Sequence, residues 1–237
     1  MQPLISIVHS TARPLVCDAT IAKLLENTDR PELVQHVLTY EEKFFDGHPP
    51  NSPWPNLRVA PTNGTPIDGY NLAASLSTGK ILFFFADDCF PYPHWDSEFI
   101  EAFGEKIEEE AALLVDVMFD QGNGLEVAHD GISQFPTCTR PFYEYLKTRC
   151  GGFLNPAYFA RYSDPEFTQI VKERIGFIDM RGKIRLRHYE ERDRECVIEA
   201  TRRKMMYEHN RDAVTFARRM REGFPPGAPH WMPKVQP

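Results

Sequence analysis

The sequence predicts an α/β fold: a single domain with a mostly parallel central sheet flanked by helices. Three observations carry that prediction. Strand-like and helix-like segments alternate through the first half of the chain, the pattern of a sheet built from crossover connections. One of those segments, Ile81 to Ala86, is an unbroken apolar run rich in phenylalanine, as expected of a strand buried on both faces. That run ends abruptly at two adjacent carboxylates, Asp87 and Asp88. A chain of 237 residues, 42% of them hydrophobic, is large enough to bury one substantial core. No internal repeat or clear linker divides it. Residues 1–223 are expected to form the domain, and the proline-rich residues 224–237 a loosely ordered tail.

The elements follow in order. Leu4 to His9 alternates and is rich in branched residues, a first strand ending in the polar turn Ser10-Thr-Ala-Arg-Pro14. Asp18 to Asn27 reads as a short helix broken by Asp29-Arg-Pro31. Leu33 to Tyr40 is a second strand, followed at once by Glu41 and Glu42, and Phe44 to Asn56 is a loop. Leu57 to Ala60 is a brief third strand. Asp68 to Thr78 has helical apolar spacing, with Gly79 expected at the C′ position. After the buried strand come a helix over Ser97 to Ala112 and a strand over Leu113 to Phe119. Ser163-Asp-Pro-Glu166 has the form of a helix start, with Ser163 or Asp164 as cap and Phe167 to Arg174 as the helix. Phe177 to Met180 and Lys183 to Arg187 read as a hairpin, and the charged stretch Tyr189 to Arg221 as mostly helical.

The formal net charge of −7 argues against strong nonspecific binding to polyanions. Basic clusters at Arg181–Arg187, Arg202–Lys204 and Arg218–Arg219 are either a local patch or, more simply, solvated faces. The five cysteines, Cys17, Cys89, Cys138, Cys150 and Cys196, are odd in number and widely scattered, as in a reduced intracellular protein. The first residues lack the basic head of a signal peptide, and no apolar run is long enough to span a bilayer. A cytoplasmic location is the expectation.

Ligands of open α/β sheets bind beyond the carboxyl ends of the strands. Asp87 and Asp88 are therefore either the floor of a site or a solvated acidic turn helped by Pro91 and Pro93. A site of this kind suits a hard divalent cation, which takes oxygen ligands and is commonly shared with substrate phosphates.

Four stretches, in the right order over residues 4 to 190, resemble a known family. They are Ser6-Ile-Val-His-Ser-Thr-Ala-Arg-Pro14, the helix-to-carboxylate stretch Asn71 to Asp88, Pro93-His-Trp-Asp96, and Tyr162-Ser-Asp-Pro-Glu-Phe167 followed by Arg187-His-Tyr189. Together they are similar to the nucleotide-sugar glycosyltransferases of GT-A (Rossmann-like) fold, broadly of the family-2 type. The chain departs from that pattern in two places. Its acidic motif is Ala-Asp-Asp rather than Asp-x-Asp, and the second residue of the carboxy-terminal histidine pair is replaced by Glu190.

The resemblance implies transfer of a sugar from a nucleotide-sugar donor, a UDP-sugar first, to an acceptor hydroxyl. It implies a divalent metal, Mn²⁺ or Mg²⁺, held by Asp88 and His188, with Asp87 contacting the ion's waters or the ribose. Glu41 would lie near the nucleoside, Thr11 and Arg13 near base or phosphate, and Asn71 and Lys80 would frame the donor helix. Asp164 is implied as the base that takes the acceptor's proton, Glu166 as the group orienting the acceptor, and one base without a covalent nucleophile implies inversion. Each has a plainer alternative: a solvated carboxylate for Glu41, a strand-edge lysine for Lys80, a half-exposed strand residue for His188, a helix cap for Asp164. The acceptor class, whether glycan, lipid, protein or modified DNA, stays open. Two other functions compete: a nucleotidyltransferase, which the glycine-free turn after the first strand disfavours, and a noncatalytic carbohydrate- or nucleotide-binding module.

Overall fold

The computed structural model describes residues 2–45, 48–120, 125–127, 131–188 and 199–226. Four parallel strands form its centre: β1 (Ile5–Thr11), β2 (Val34–Glu41), β3 (Leu57–Thr62) and β4 (Ile81–Phe85). The register pairs His9 with Phe85, Thr11 with Tyr40 and Glu41 with Thr62. The carboxyl ends of these strands therefore meet at one edge, and the Asp87–Asp88 turn opens there.

Beyond β4 a short β5 (Cys89–Pro91) leaves the main sheet, which continues in the order β10-β6-β9-β4-β1-β2-β3. Strands β6 (Ala112–Leu114) and β10 (Ile178–Asp179) run with the central four, and β9 (Thr137–Thr139) runs against them. A second sheet has the order β5-β11-β7-β8, built with β7 (Asp116–Asp120), β8 (Leu125–Val127) and β11 (Arg185–His188). The expected strand over Leu113 to Phe119 is thus two strands in two sheets, with Val115 as the step between them. The expected hairpin is corrected in the same way: β10 pairs with β6, whereas β11 pairs with β5 and β7. A sequence pattern of period two marks extended chain but not the partner, and here consecutive extended segments choose different partners.

Alternation along the strands sorts the core into two layers. Ile5, Ile7, Phe83 and Phe85 pack against α1 (Pro14–Glu26) and α3 (Trp95–Phe103). Val8, Val37 and Leu82 pack against α2 (Pro66–Leu76), α4 (Arg140–Cys150) and α5 (Ser163–Arg174). Helix α2 begins two residues earlier than expected because Thr65 and Asp68 form a reciprocal capping box before Pro66. The predicted long helix over Ser97 to Ala112 stops at Phe103, where Gly104 takes a φ of 46°. Gly79 is not a left-handed cap. A Cβ there would lie 2.6 Å from the Ser6 backbone nitrogen, so its glycine is required by close approach to β1.

The last helix, α6 (Glu199–Arg221), returns to the body of the domain. Phe224, expected in a loose tail, is buried, its ring 5.6 Å from Phe216 and its carbonyl accepting from Arg149 Nη2 at 3.0 Å. Residues 227–237, the rest of that segment, and Tyr189, Glu190 and Cys196 lie outside the described residues.

Candidate functional site

The turn after β4 sends its two carboxylates in different directions. Asp87 continues the alternation of β4 toward α1 and is buried, with 5% of its surface exposed. Its Oδ2 accepts from Thr11 Oγ1 at 2.7 Å, its Oδ1 meets His9 Nε2 at 2.9 Å, and its backbone carbonyl accepts from Thr20 Oγ1 at 2.7 Å. Asp88 faces the open side of the edge. Its Oδ2 accepts from Arg13 Nη1 at 3.0 Å, and its Oδ1 lies 3.4 Å from His188 Nε2. Burial alone would raise the Asp88 carboxyl, but hydrogen bonding to His188 and the charge of Arg13 outweigh it and hold the group well below the usual carboxylate range.

His188 reaches Asp88 from a point one hundred residues further along the chain because β11 runs antiparallel to β5, with His188 opposite Cys89. Asp88 is itself buried, with 6% of its surface exposed, while the Arg13 and His188 side chains beside it keep 20% and 19%. Glu41 stands at the same edge on the neighbouring strand β2, largely buried and paired with Lys43 Nζ at 2.5 Å. Tyr70, which the sequence reading did not single out, packs on Phe84 with ring centroids 4.1 Å apart. Burial first, and then the charges of Asp87 and Asp88, push its phenol well above the usual range.

Several expected site residues lie elsewhere or do other work. Thr11 is buried and spends its hydroxyl on Asp87, so it orients that carboxylate instead of meeting a donor. Asp87 is correspondingly an inward-facing group. Asn71 sits in the middle of α2, where its amide donates to Leu154 O at 2.8 Å and accepts from Leu154 N at 2.9 Å. It clamps the loop after α4, and Gly152 is needed there because a Cβ would lie 2.5 Å from the Asn71 side chain. Lys80 precedes β4, at the opposite end of the strand from the carboxylates, and pairs with Glu108. At about 3.3 Å per residue, the seven steps from Lys80 to Asp87 span up to about 23 Å.

Helix α5 begins at Ser163 after Tyr162, whose φ of 65° forms the entry turn, and no side chain caps it. The expected Ser163 or Asp164 cap is therefore not formed. Asp164 occupies the first turn, half-buried. Glu166 is two residues on, about 200° around a helix of 3.6 residues per turn, and points into the core. There its carboxylate accepts from Asn155 Nδ2 at 2.7 Å, Tyr158 Oη at 2.6 Å, and Arg219 Nε and Nη2 at 2.8 and 2.7 Å. With 1% of Glu166 exposed and all its acceptor sites filled, it cannot orient an acceptor. Burial works against the Arg219 charge, and the Glu166 hydrogen bonds and charge more than offset that.

The donor atoms at the edge fit a divalent cation. Neighbouring ligands of an octahedral ion with bonds of about 2.1 Å lie roughly 3 Å apart. The 3.4 Å between Asp88 Oδ1 and His188 Nε2 is close to that spacing, and one carboxylate with one imidazole suits Mn²⁺ better than Mg²⁺. A second group, His9, Cys17 and Asp87, also brings its ligand atoms within 4.8 Å of one another, a donor set of the kind that can hold a metal ion. Burial, and then the Asp87 charge, push the Cys17 thiol far above its usual range, which favours a protonated thiol over a thiolate ligand.

The sequence matches no protein-family profile and no curated protein. Among solved structures, Staphylococcus aureus TarS 1–349 superposes with a TM-score of 0.53 at 14% identity, over 71% of this chain and 54% of that one. A longer TarS structure gives 0.51 at 14% identity, over 71% of this chain and 33% of that one. TarS 1–349 in complex with UDP-GlcNAc aligns at 0.41 and 16% identity, over 53% of this chain and 37% of that one. The chain thus spans about half the length of TarS 1–349. The first two superpositions, with the seven-stranded, mostly parallel sheet, show that the fold is GT-A. Among the described residues no helix is long and apolar enough to cross a membrane.

Proposed function

We propose that the chain is a glycosyltransferase that moves a sugar from a UDP-sugar to an acceptor hydroxyl, with a divalent cation at Asp88 and His188. The observation that carries this reading is the convergence of Arg13, Asp88 and His188 at the carboxyl end of β4, in a GT-A sheet. Breaking the sugar–phosphate bond leaves negative charge on the diphosphate. A cation held by Asp88 and His188 would supply Lewis-acid stabilisation of that charge. Arg13, whose guanidinium is anchored on Asp88, faces the same charge, and Glu41 ends the strand β2 at the same edge of the sheet. Asp164 accepts the acceptor hydroxyl's proton as its oxygen attacks the anomeric carbon. With no covalent intermediate, the configuration inverts. Four described cysteines are free thiols, which agrees with the cytoplasm as the site of action.

The test is a thermal-shift screen of nucleotide sugars, beginning with UDP-GlcNAc, with and without Mn²⁺. A ligand at 100-fold its Kd stabilises a fold by about 2.7 kcal/mol. The reading predicts such a shift for a UDP-sugar, larger with Mn²⁺. No shift with any nucleotide sugar under either condition contradicts it. Slow donor hydrolysis without acceptor separates an enzyme from a binding module.

A further inference from the structure

Behind Asp87 lies a polar chain that the chemistry above does not use. His9 occupies an inward position on β1, in phase with Ile5 and Ile7, and His36 sits diagonally across on β2, whose register pairs it with Ile7. Neither ring has any exposed surface. His9 Nδ1 lies 3.1 Å from His36 Nε2, the rings stack with centroids 5.3 Å apart, and His9 Nε2 is 2.9 Å from Asp87. Trp54 stands edge-on to His36, centroids 5.7 Å apart. Two imidazoles buried in an apolar layer are costly unless they are hydrogen-bonded.

The hydrogen-bond pattern assigns the protons. His36 Nδ1 and Trp54 Nε1 are both buried without a hydrogen-bond partner among the described residues. The Asp87 carboxylate can only accept, so His9 presents Nε2–H to it and its Nδ1 accepts from His36 Nε2, which carries the His36 proton. Each neutral ring donates once, and the direction of donation runs from the interior toward the carboxylate. Asp87 is thereby held by His9 and Thr11 on one side while its carbonyl is held by Thr20, which fixes the turn that presents Asp88.

We propose that His36 and His9 are positioning residues, a buried one-way relay that locks Asp87 and through it the orientation of Asp88. The proposal rests on the donor-site reading of Asp88. It follows the general behaviour of partners behind metal-binding side chains, whose loss typically weakens metal affinity about 10–100-fold.

Three measurements test it. Nitrogen-15 spectra of histidine-labelled, metal-free protein should show both His9 and His36 as neutral rings protonated at Nε2. The opposite tautomer on either ring overturns the relay. Binding of Mn²⁺ with UDP should then weaken about tenfold or more in His36→Phe, which keeps the ring packing but cannot donate. It should recover in His36→Gln, whose amide can donate from the Nε2 position. Unchanged affinity in a folded His36→Phe overturns the positioning role, as does failure of His36→Gln to restore it. Wild-type protein that binds no Mn²⁺ with UDP contradicts the donor-site reading and, with it, the positioning role. The tautomers still decide whether the relay exists. A charge-transfer band between added Co²⁺ and Cys17 would put a metal between His9 and Asp87, and would also overturn the relay.

Discussion

Asp88 and Glu166 are both buried carboxylates, both hydrogen-bonded to an arginine, and both belong to stretches that resemble a glycosyltransferase site. They differ in what is left over. Glu166 receives four donors, two on each oxygen, from Asn155, Tyr158 and Arg219, and is closed on every side. Asp88 has two partners, Arg13 on Oδ2 at 3.0 Å and His188 on Oδ1 at 3.4 Å, one on each oxygen, and both partners are partly exposed. A saturated carboxylate has no capacity for a ligand and serves the fold. One with unfilled acceptor sites keeps capacity for a ligand, which is why we propose Asp88 as the cation's carboxylate. Saturation of the acceptor sites, more than burial or charge, separates the two.

The sharpest way to break that contrast is to remove one partner from each cluster. Arg219→Leu leaves Glu166 buried and uncompensated, a change that typically costs about 3–5 kcal/mol. It should also loosen α6, because Asp212 on the same helix accepts from the backbone nitrogens of Phe159, Ala160 and Arg161 at 2.8–2.9 Å. Urea unfolding should show the full loss, and a loss below about 1 kcal/mol would mean that the cluster is not what anchors the helix.

Asp164→Asn probes the other side of the contrast. It lies on the same helix as Glu166 and about 200° around it, and Asn keeps the side chain's shape and one oxygen, so stability should fall by less than in Arg219→Leu. If Asp164 is the base, turnover should fall about 10²–10⁴-fold while UDP binding persists. Equal turnover in this variant and the wild type would take α5 out of the chemistry. A smaller effect is expected at His188. His188→Ala, which removes one of the two proposed ligands, should weaken Mn²⁺ affinity by at least the roughly 10–100-fold that loss of a partner behind a ligand costs, and a large drop in melting temperature with unaltered affinity would make it structural. Smallest of all, Lys80→Ala should leave donor binding untouched, since an exposed pair with Glu108 contributes at most about 1 kcal/mol to stability.

The sequence was informative where chemistry and local pattern coincide. The buried strand ending at Asp88, the turn carrying Arg13 and the distant His188 were all legible, and the fold places them together. It was uninformative where spatial register decides. His9 and His36 look like unrelated strand residues until the pairing of β1 with β2 sets them side by side. An inward-phase histidine after Ile5 and Ile7 was the one available sign. Asp164 and Glu166 are two residues apart in sequence, and only helical phase, together with an arginine from the far end of the chain, tells their roles apart. Asn71 and Lys80 flank the right helix and strand, but strand length puts one in a loop clamp and the other at the wrong end of the sheet.

The central claim is that Asp88 is the open carboxylate that binds the donor through a cation. Calorimetric titration of UDP into wild type and Asp88→Asn, each with Mn²⁺ and with EDTA, tests it most directly. Asn keeps the shape and a neutral oxygen but removes the charge that holds the ion. The account predicts Mn²⁺-dependent UDP binding in the wild type, its loss in EDTA, and its loss in a folded Asp88→Asn variant. Binding that is equally strong in the variant and in EDTA would contradict it.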